Sequence, residues 1–472
     1  MQSNSPRAEM RAMRILALCL VAATCARDAP VAPTPPTEAA TAQLKQAPGD
    51  LDPTFGAGGK VTTDFFRAKD AALSLALQPD GKLVVGGVAT NPATENDFAL
   101  ARYNPDGSLD ASFGTSGVVT TDFFGTIQRE LGASLTDLAL KVLLQPDGKI
   151  VLSGWAFETA TGFHFALARY NADGSLDATF GTDGKVVSNF PGKFEGALSA
   201  ALQPDGKIVL VGTNGTPVGL GLASDIDFGV ARYNGDGSLD MAFGVGGFVR
   251  TDFLGNIDEA RSVVIQADGK IVVAGFANHP TGHKFSAFAL ARYNSDGSLD
   301  AGFGVGGKVT TDFFEGDDIA SSLTLQPDGK IISVGEAFNP ATGGVDWALA
   351  RYNVDGSLDA TFGAGGLLTT DFFGGLDRAR GVSLQSDGTI LVVGTATKLA
   401  TGRDFAVARY NSDGSLHTTF GKDGKVTTDF FEGDDVATSL ALRPDGKIVV
   451  AGFATSLVTD LDFALARYLG DR

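Results

Sequence analysis

The chain has 472 residues, of which 62 are Gly; 43% are hydrophobic and only 19% charged, so it can bury a large core but is too turn-rich for a helical protein. Its formal net charge of −18 is spread along the whole length and repels phosphates and anionic lipid surfaces, which argues against a nucleic-acid partner.

The first 25 residues read as an export segment. Arg11 and Arg14 precede the short apolar run Ile15 to Ala26, too short to cross a bilayer and suited to a signal sequence. Both cysteines, Cys19 and Cys25, lie in this run, so the exported body has no thiol and cannot be a disulfide scaffold. Cys25 follows the small residues Ala22, Ala23 and Thr24, as a lipidated cysteine does, and is the candidate lipid anchor. The expected location is therefore periplasmic, secreted or on the outer surface of a bacterium. Residues 26–50 are rich in Pro, Ala and Thr and form a flexible tether without a core of its own.

From residue 51 to 472 the chain is repeat. The aspartate of QPDGK and its variants recurs at Asp80, Asp147, Asp205, Asp268, Asp328, Asp387 and Asp445, a period of about 61 residues. Each unit reads as four short strands: A (Ser74 to Gln78), B (Lys82 to Gly87), C (Phe98 to Asn104) and D (Ser116 to Phe123) in the first. Pro-Asp-Gly between A and B, and Asn-x-Asp-Gly between C and D, are turns closed by a Gly at positive φ, which join antiparallel neighbours. The array starts with a D strand (Phe55 to Phe65) and ends with A, B and C at Tyr468. A linear stack would expose two raw ends, whereas closure into a ring lets the first strand complete the last blade. The expected fold is all-β: a seven-bladed β-propeller of four-stranded antiparallel blades, its N-terminal strand closing the last blade, and a monomer.

The pattern DGSLDxxFGxGGxVTTDF, followed by SLxLQPDGKIVVAG and DFALARYN, resembles the delta-60 repeat of bacterial secreted and surface proteins and, more distantly, the NHL repeat. The resemblance spans residues 51 to 468. It implies a propeller and carries no agreed activity, so no catalytic residue is transferred through it.

Seven arginines, Arg102, Arg169, Arg232, Arg292, Arg351, Arg409 and Arg467, hold one position, and so read as structural, with the SLD aspartate as partner. In the sixth unit His417 replaces that aspartate, which predicts a weaker pair at neutral pH. NPDGSLD lacks the acid at the first position of a calcium loop and reads as a turn. Seven acids, Asp70, Asp137, Glu195, Asp258, Asp318, Asp377 and Asp435, stand ten residues before each A-to-B turn. In a propeller they would circle one channel mouth, held by local hydrogen bonds or offset by a cation; calcium enters only in that second role. No other cofactor or metal is indicated. His279 and His283 share a loop spacing that guarantees no metal.

The D-to-A and B-to-C connections share one variable face, and two insertions break the repeat there: Phe123 to Asp137, and Gly212 to Phe228. Ile127, Arg129, Glu130, Trp155, Asn214 and Asp225 are accordingly the candidate ligand-binding residues. Trp347 stands where six units have Phe, and reads as core. Signatures such as G-x-S-x-G, H-E-x-x-H or a phosphate loop are missing, and no catalytic residue is named. The leading expectation is a non-enzymatic binding scaffold that presents its variable face to a protein, peptide or glycan. The alternatives are an acid- or cation-assisted hydrolase or lyase at the channel, for instance through Asp317 and Asp318, and a structural envelope protein.

Overall fold

The computed structural model describes residues 46–125, 137–158, 161–190, 194–218, 222–253, 255–278, 285–398, 402–456 and 458–471. The export segment with Cys19 and Cys25, most of the tether, and the loop residues Ile127, Arg129, Glu130, His279 and His283 lie outside them.

The described residues form seven blades of four antiparallel strands. In the first blade, A is β2 (Asp70–Leu77), B is β3 (Leu83–Asn91), C is β4 (Glu95–Tyr103) and D is β5 (Val118–Thr121). Strands A to C run farther toward the variable face than the sequence indicates, and D is shorter. The two faces of strand C pack on different neighbours: Ala99, Ala101 and Tyr103 against the last blade, Phe98 and Leu100 against the second. Such residues are fully buried, and each large one contributes about 1.5–3 kcal/mol of transfer free energy.

A bulge interrupts strand A at the same place in every blade, between Ala72 and Ser74 in the first. Opposite it stands a glycine, Gly87, where an added Cβ would lie 1.9 Å from the Ala71 carbonyl oxygen. The same clash, at 1.8–2.0 Å, recurs at Gly154, Gly212, Gly275, Gly335, Gly394 and Gly452. The recurrent strand-B glycine is therefore demanded by close backbone approach.

The ring closes as expected. Strand β1 (Lys60–Thr63) pairs with β28 (Asp460–Tyr468), in register from Lys60 opposite Ala466 to Thr63 opposite Phe463. Each strand-C tyrosine donates its hydroxyl to a Thr or Ser of the preceding blade's strand D. Tyr103 to Thr63, at 2.8 Å, is the member of this series that crosses the closure.

The constant-turn face is fastened by an arginine clamp. Arg102 Nε donates to Asp110 Oδ2 at 2.8 Å, its Nη1 donates to the Ala172 carbonyl of the next blade, and its guanidinium lies over Phe113. Lys82 approaches the same Asp110 oxygen at 2.9 Å. The Ser112 hydroxyl, working against partial burial and joined by Lys82 and Arg102, holds Asp110 well below the usual carboxylate range. Blade 6 differs as a unit. His417 replaces the aspartate, Thr389 replaces the lysine, and the buried Arg409 meets Asp471 at 2.6 Å instead. The weak pair anticipated there is thus supplemented by a carboxylate from the end of the chain.

Candidate functional site

The seven A strands line the central channel, and within them one inward position is not repeated. In chain order it holds Leu73, Leu140, Leu198, Arg261, Ser321, Arg380 and Thr438. Blades 1 to 3 therefore present an apolar wall, and blades 4 to 7 a cationic and hydroxylic one. At the next position most blades have Ser, whose hydroxyl fastens adjacent inner strands. Ser74 accepts from Val142 N at 3.0 Å, Ser262 from Leu323 N at 3.2 Å, and Ser439 from Leu75 N at 3.2 Å. In blade 2 that serine is replaced by Lys141, which adds a third cation to the channel.

These side chains surround a cavity of about 280 Å³ in the half of the channel nearer the variable face. Arg261 is paired with Glu259 at 2.6 Å, and Glu259 is the one acid lining the cavity among the described residues. No carboxylate among the described residues pairs with Lys141 or Arg380, and Arg380 Nε has no hydrogen-bond partner. Burial lowers the pKa of Lys141, so its ammonium gains from an incoming negative charge. The channel is thus a concentration of unpaired positive charge in a strongly acidic protein.

The acid ring sits elsewhere than the mouth. Each carboxylate is buried at a blade junction, where it accepts a backbone N–H from the D-to-A connection: Phe65 N to Asp70 at 2.7 Å, Phe123 N to Asp137 at 2.7 Å, Phe313 N to Asp318 at 2.7 Å. Phe190, Phe253, Phe372 and Phe430 serve Glu195, Asp258, Asp377 and Asp435 in the same way. Burial raises Asp70, Asp137, Asp258 and Asp318 to about 7, Glu195 and Asp435 to about 8, and Asp377 to about 6. The charges acting on them belong to the same junction, such as Asp64 and Asp462 for Asp70, and not to other ring members. The expected convergence on one mouth fails because each side chain turns into its own junction.

Of the candidate ligand-binding residues, Trp155 borders the cavity, edge-on to Phe163 at 6.2 Å and only 7% exposed. Asn214 is buried within β11 (Ile208–Val218), out of reach of a surface ligand, because the insertion lengthens the B–C hairpin instead of forming a free loop. Asp225 lies in β12 (Leu222–Tyr233), opposite Thr216. Trp347 is core, its indole donating to the Thr395 carbonyl at 3.0 Å. Asp317 is exposed and accepts from Ser286 N, and neither it nor Asp318 lines the cavity. Sequence reasoning passed over Lys141, Arg261 and Arg380. The available signal was variation between copies at an inward position of an otherwise uniform strand.

A family model described as "Domain of unknown function (DUF5122) beta-propeller" matches residues 78–113, 145–180, 203–243, 266–303, 326–362, 385–420 and 443–471, together more than half of the chain. The chain belongs to this DUF5122 propeller family. No curated protein matches it. Among solved structures, a catalytically inactive virginiamycin B lyase from Staphylococcus aureus with quinupristin is similar at 10% identity and a TM-score of 0.43, covering 86% of this chain and 98% of that one. An ulvan lyase bound to a fragment of its polysaccharide is similar at 14% identity and a TM-score of 0.47, covering 87% and 96%. The NanB sialidase of Streptococcus pneumoniae follows at 9% and 0.41, covering 86% and 68%. Nothing about activity follows from likenesses this distant.

Proposed function

We propose that this DUF5122 propeller is a non-enzymatic binding scaffold of the bacterial envelope or exterior, whose channel takes an acidic unit of a glycan. The observation that carries this reading is the pair of unpaired channel cations, Lys141 of blade 2 and Arg380 of blade 6, which share one cavity with the leucines of blades 1 to 3. A sugar acid has the matching build: an apolar C–H face, hydroxyls and one carboxylate or sulfate. Phe66, Phe314, Phe373 and Phe431, the second aromatic of four of the five Asp-Phe-Phe motifs, lie in the D-to-A connections of the variable face and are all at least 37% exposed. Exposed aromatic surface suits binding, whereas no pair of carboxylates lines the cavity among the described residues to serve a hydrolase or lyase. The apolar N-terminal run, the confinement of both cysteines to it and the resemblance to the delta-60 repeat support the exported setting, with Cys25 as anchor.

The test is calorimetric titration with uronic-acid and sulfated oligosaccharides, with neutral oligosaccharides of equal length as control. Binding to the acidic series should weaken at high salt and fall at least about tenfold in the Lys141→Gln/Arg380→Gln double variant. Equal binding of acidic and neutral series, or undiminished binding by the double variant, would sink the reading. Tighter binding of acidic peptides than of any glycan would move the ligand to another class.

A further inference from the structure

At each junction the buried acid that opens strand A lies close to a residue of strand C of the preceding blade, and to the residue that follows that blade's strand D. Between blades 7 and 1 these are Asp70, Asp462 and Asp64, one carboxylate oxygen from each lying within 4.8 Å of the others. The same closeness holds for Asp227, Asp252 and Asp258, and for Asp404, Asp429 and Asp435. Three carboxylates at such range repel one another strongly unless a positive charge or protons intervene.

Two of these three clusters contain their own cation. The Arg250 guanidinium pairs with Asp227, and the Lys398 ammonium lies 2.6 Å from Asp404. The closing junction has Thr62 and Ser456 at those two places in the blade, so neither cation is available. Its nearby lysine, Lys69, is paired with Asp460 at 3.7 Å on the exposed surface. Asp462 is 5% exposed; its Oδ2 accepts the Thr459 hydroxyl at 2.6 Å, and its Oδ1 has no hydrogen-bond partner among the described residues. A buried carboxylate oxygen without a partner is costly, and here it belongs to the cluster that also lacks a cation.

We infer that the closing junction is a divalent-cation site of the calcium type, formed by Asp64, Asp70 and Asp462. The donors are all carboxylate oxygens, and calcium bonds of about 2.3–2.6 Å allow opposite ligand oxygens to stand about 4.8 Å apart. Asp64 is exposed and gives the site an entry and room for coordinating water. The ion would join the connection after β1, strand A of the first blade and strand C of the last, which are the three segments that close the ring.

Calcium chloride titrated calorimetrically into the chelator-treated full chain at pH 8 should show binding with a dissociation constant below about 1 mM, and calcium should raise the melting temperature by several degrees. Magnesium should bind more weakly than calcium. Asp462→Asn, which keeps an oxygen for Thr459, should lose one calcium per chain; Asp64→Asn, an exposed change that leaves the core intact, should lose the same site. Absence of calcium binding up to about 10 mM at pH 8, or wild-type stoichiometry and affinity in both variants, overturns the inference.

Discussion

Arg102 and its counterparts on the constant-turn face meet the same three partners in six of seven blades, whereas the channel position that begins with Leu73 carries four residue types in seven. One repeat produces both. The clamp sits between blades, where each carboxylate, guanidinium and ring must satisfy the next, so a change at one position requires changes at others. Blade 6 illustrates this: lysine and aspartate are lost together, and Asp471 takes over the arginine. The channel residue points into a cavity, and its partners differ from blade to blade: Arg261 pairs with Glu259, Thr438 donates to the Ala72 carbonyl, and Arg380 has no carboxylate partner among the described residues. Uniformity therefore marks places where blades depend on one another, and freedom to vary marks where a ligand can be addressed.

Removing residues 51–66 tests the interdependence most severely. It deletes β1 together with Asp52, the clamp partner of Arg467, and leaves β28 with an open edge. Aggregation or loss of a cooperative transition is expected in thermal melts and gel filtration; a soluble monomer with an unchanged melting temperature would refute the closure.

A single clamp should come next. Asp359→Ala leaves Arg351 and Lys330 without their shared carboxylate and should cost about 3–5 kcal/mol in denaturant unfolding. His417→Ala, in the blade whose arginine has another acid, should cost less than about 1 kcal/mol. Equal losses would erase the distinction drawn for blade 6.

The two kinds of acid should also oppose each other in pH dependence. The junction acids have folded-state pKa values raised to about 6–8, so the folded protein holds protons that the unfolded chain releases. Their contribution is fully present below the ordinary carboxylate range and is lost as pH rises through 6 to 8. Clamp aspartates such as Asp110, Asp177 and Asp359 are lowered, so their contribution is present above that range and lost as pH falls below it. With chelator present, stability should peak at about pH 4–5 and decline toward pH 8. Asp435→Asn should flatten that decline. A maximum at pH 8 in the wild type would contradict the burial of the junction acids as protonated groups.

The smallest effect is expected in the channel. Arg380→Gln should change stability by no more than about 0.5 kcal/mol, since it has no carboxylate partner to abandon, and Lys141→Gln should leave stability unchanged or raise it, since burial disfavours its unpaired ammonium. A loss of clamp size in equilibrium unfolding would show that these cations belong to the architecture.

The sequence alone determined the blade count, the strand order within a blade, the closure and the arginine–aspartate pairing, because each of these repeats at a fixed spacing or follows from turn chemistry next to it in the chain. Asn-x-Asp-Gly needs no tertiary context to be a turn, and an array that begins on a D strand closes on itself whatever its ligand. The direction in which a side chain leaves its strand at a junction is a different kind of fact. Asp70 and its counterparts precede inner strands, yet their carboxylates turn toward backbone N–H groups of the preceding connection, and only packing of adjacent blades decides that. Likewise, Leu73, Lys141 and Arg380 lie far apart in sequence and become one cavity wall only when the ring brings their strands around a common axis. Asp64 and Asp462, far apart in the chain, meet because β1 pairs with β28, and which side chains that pairing brings within reach of one another is decided only by the packed junction.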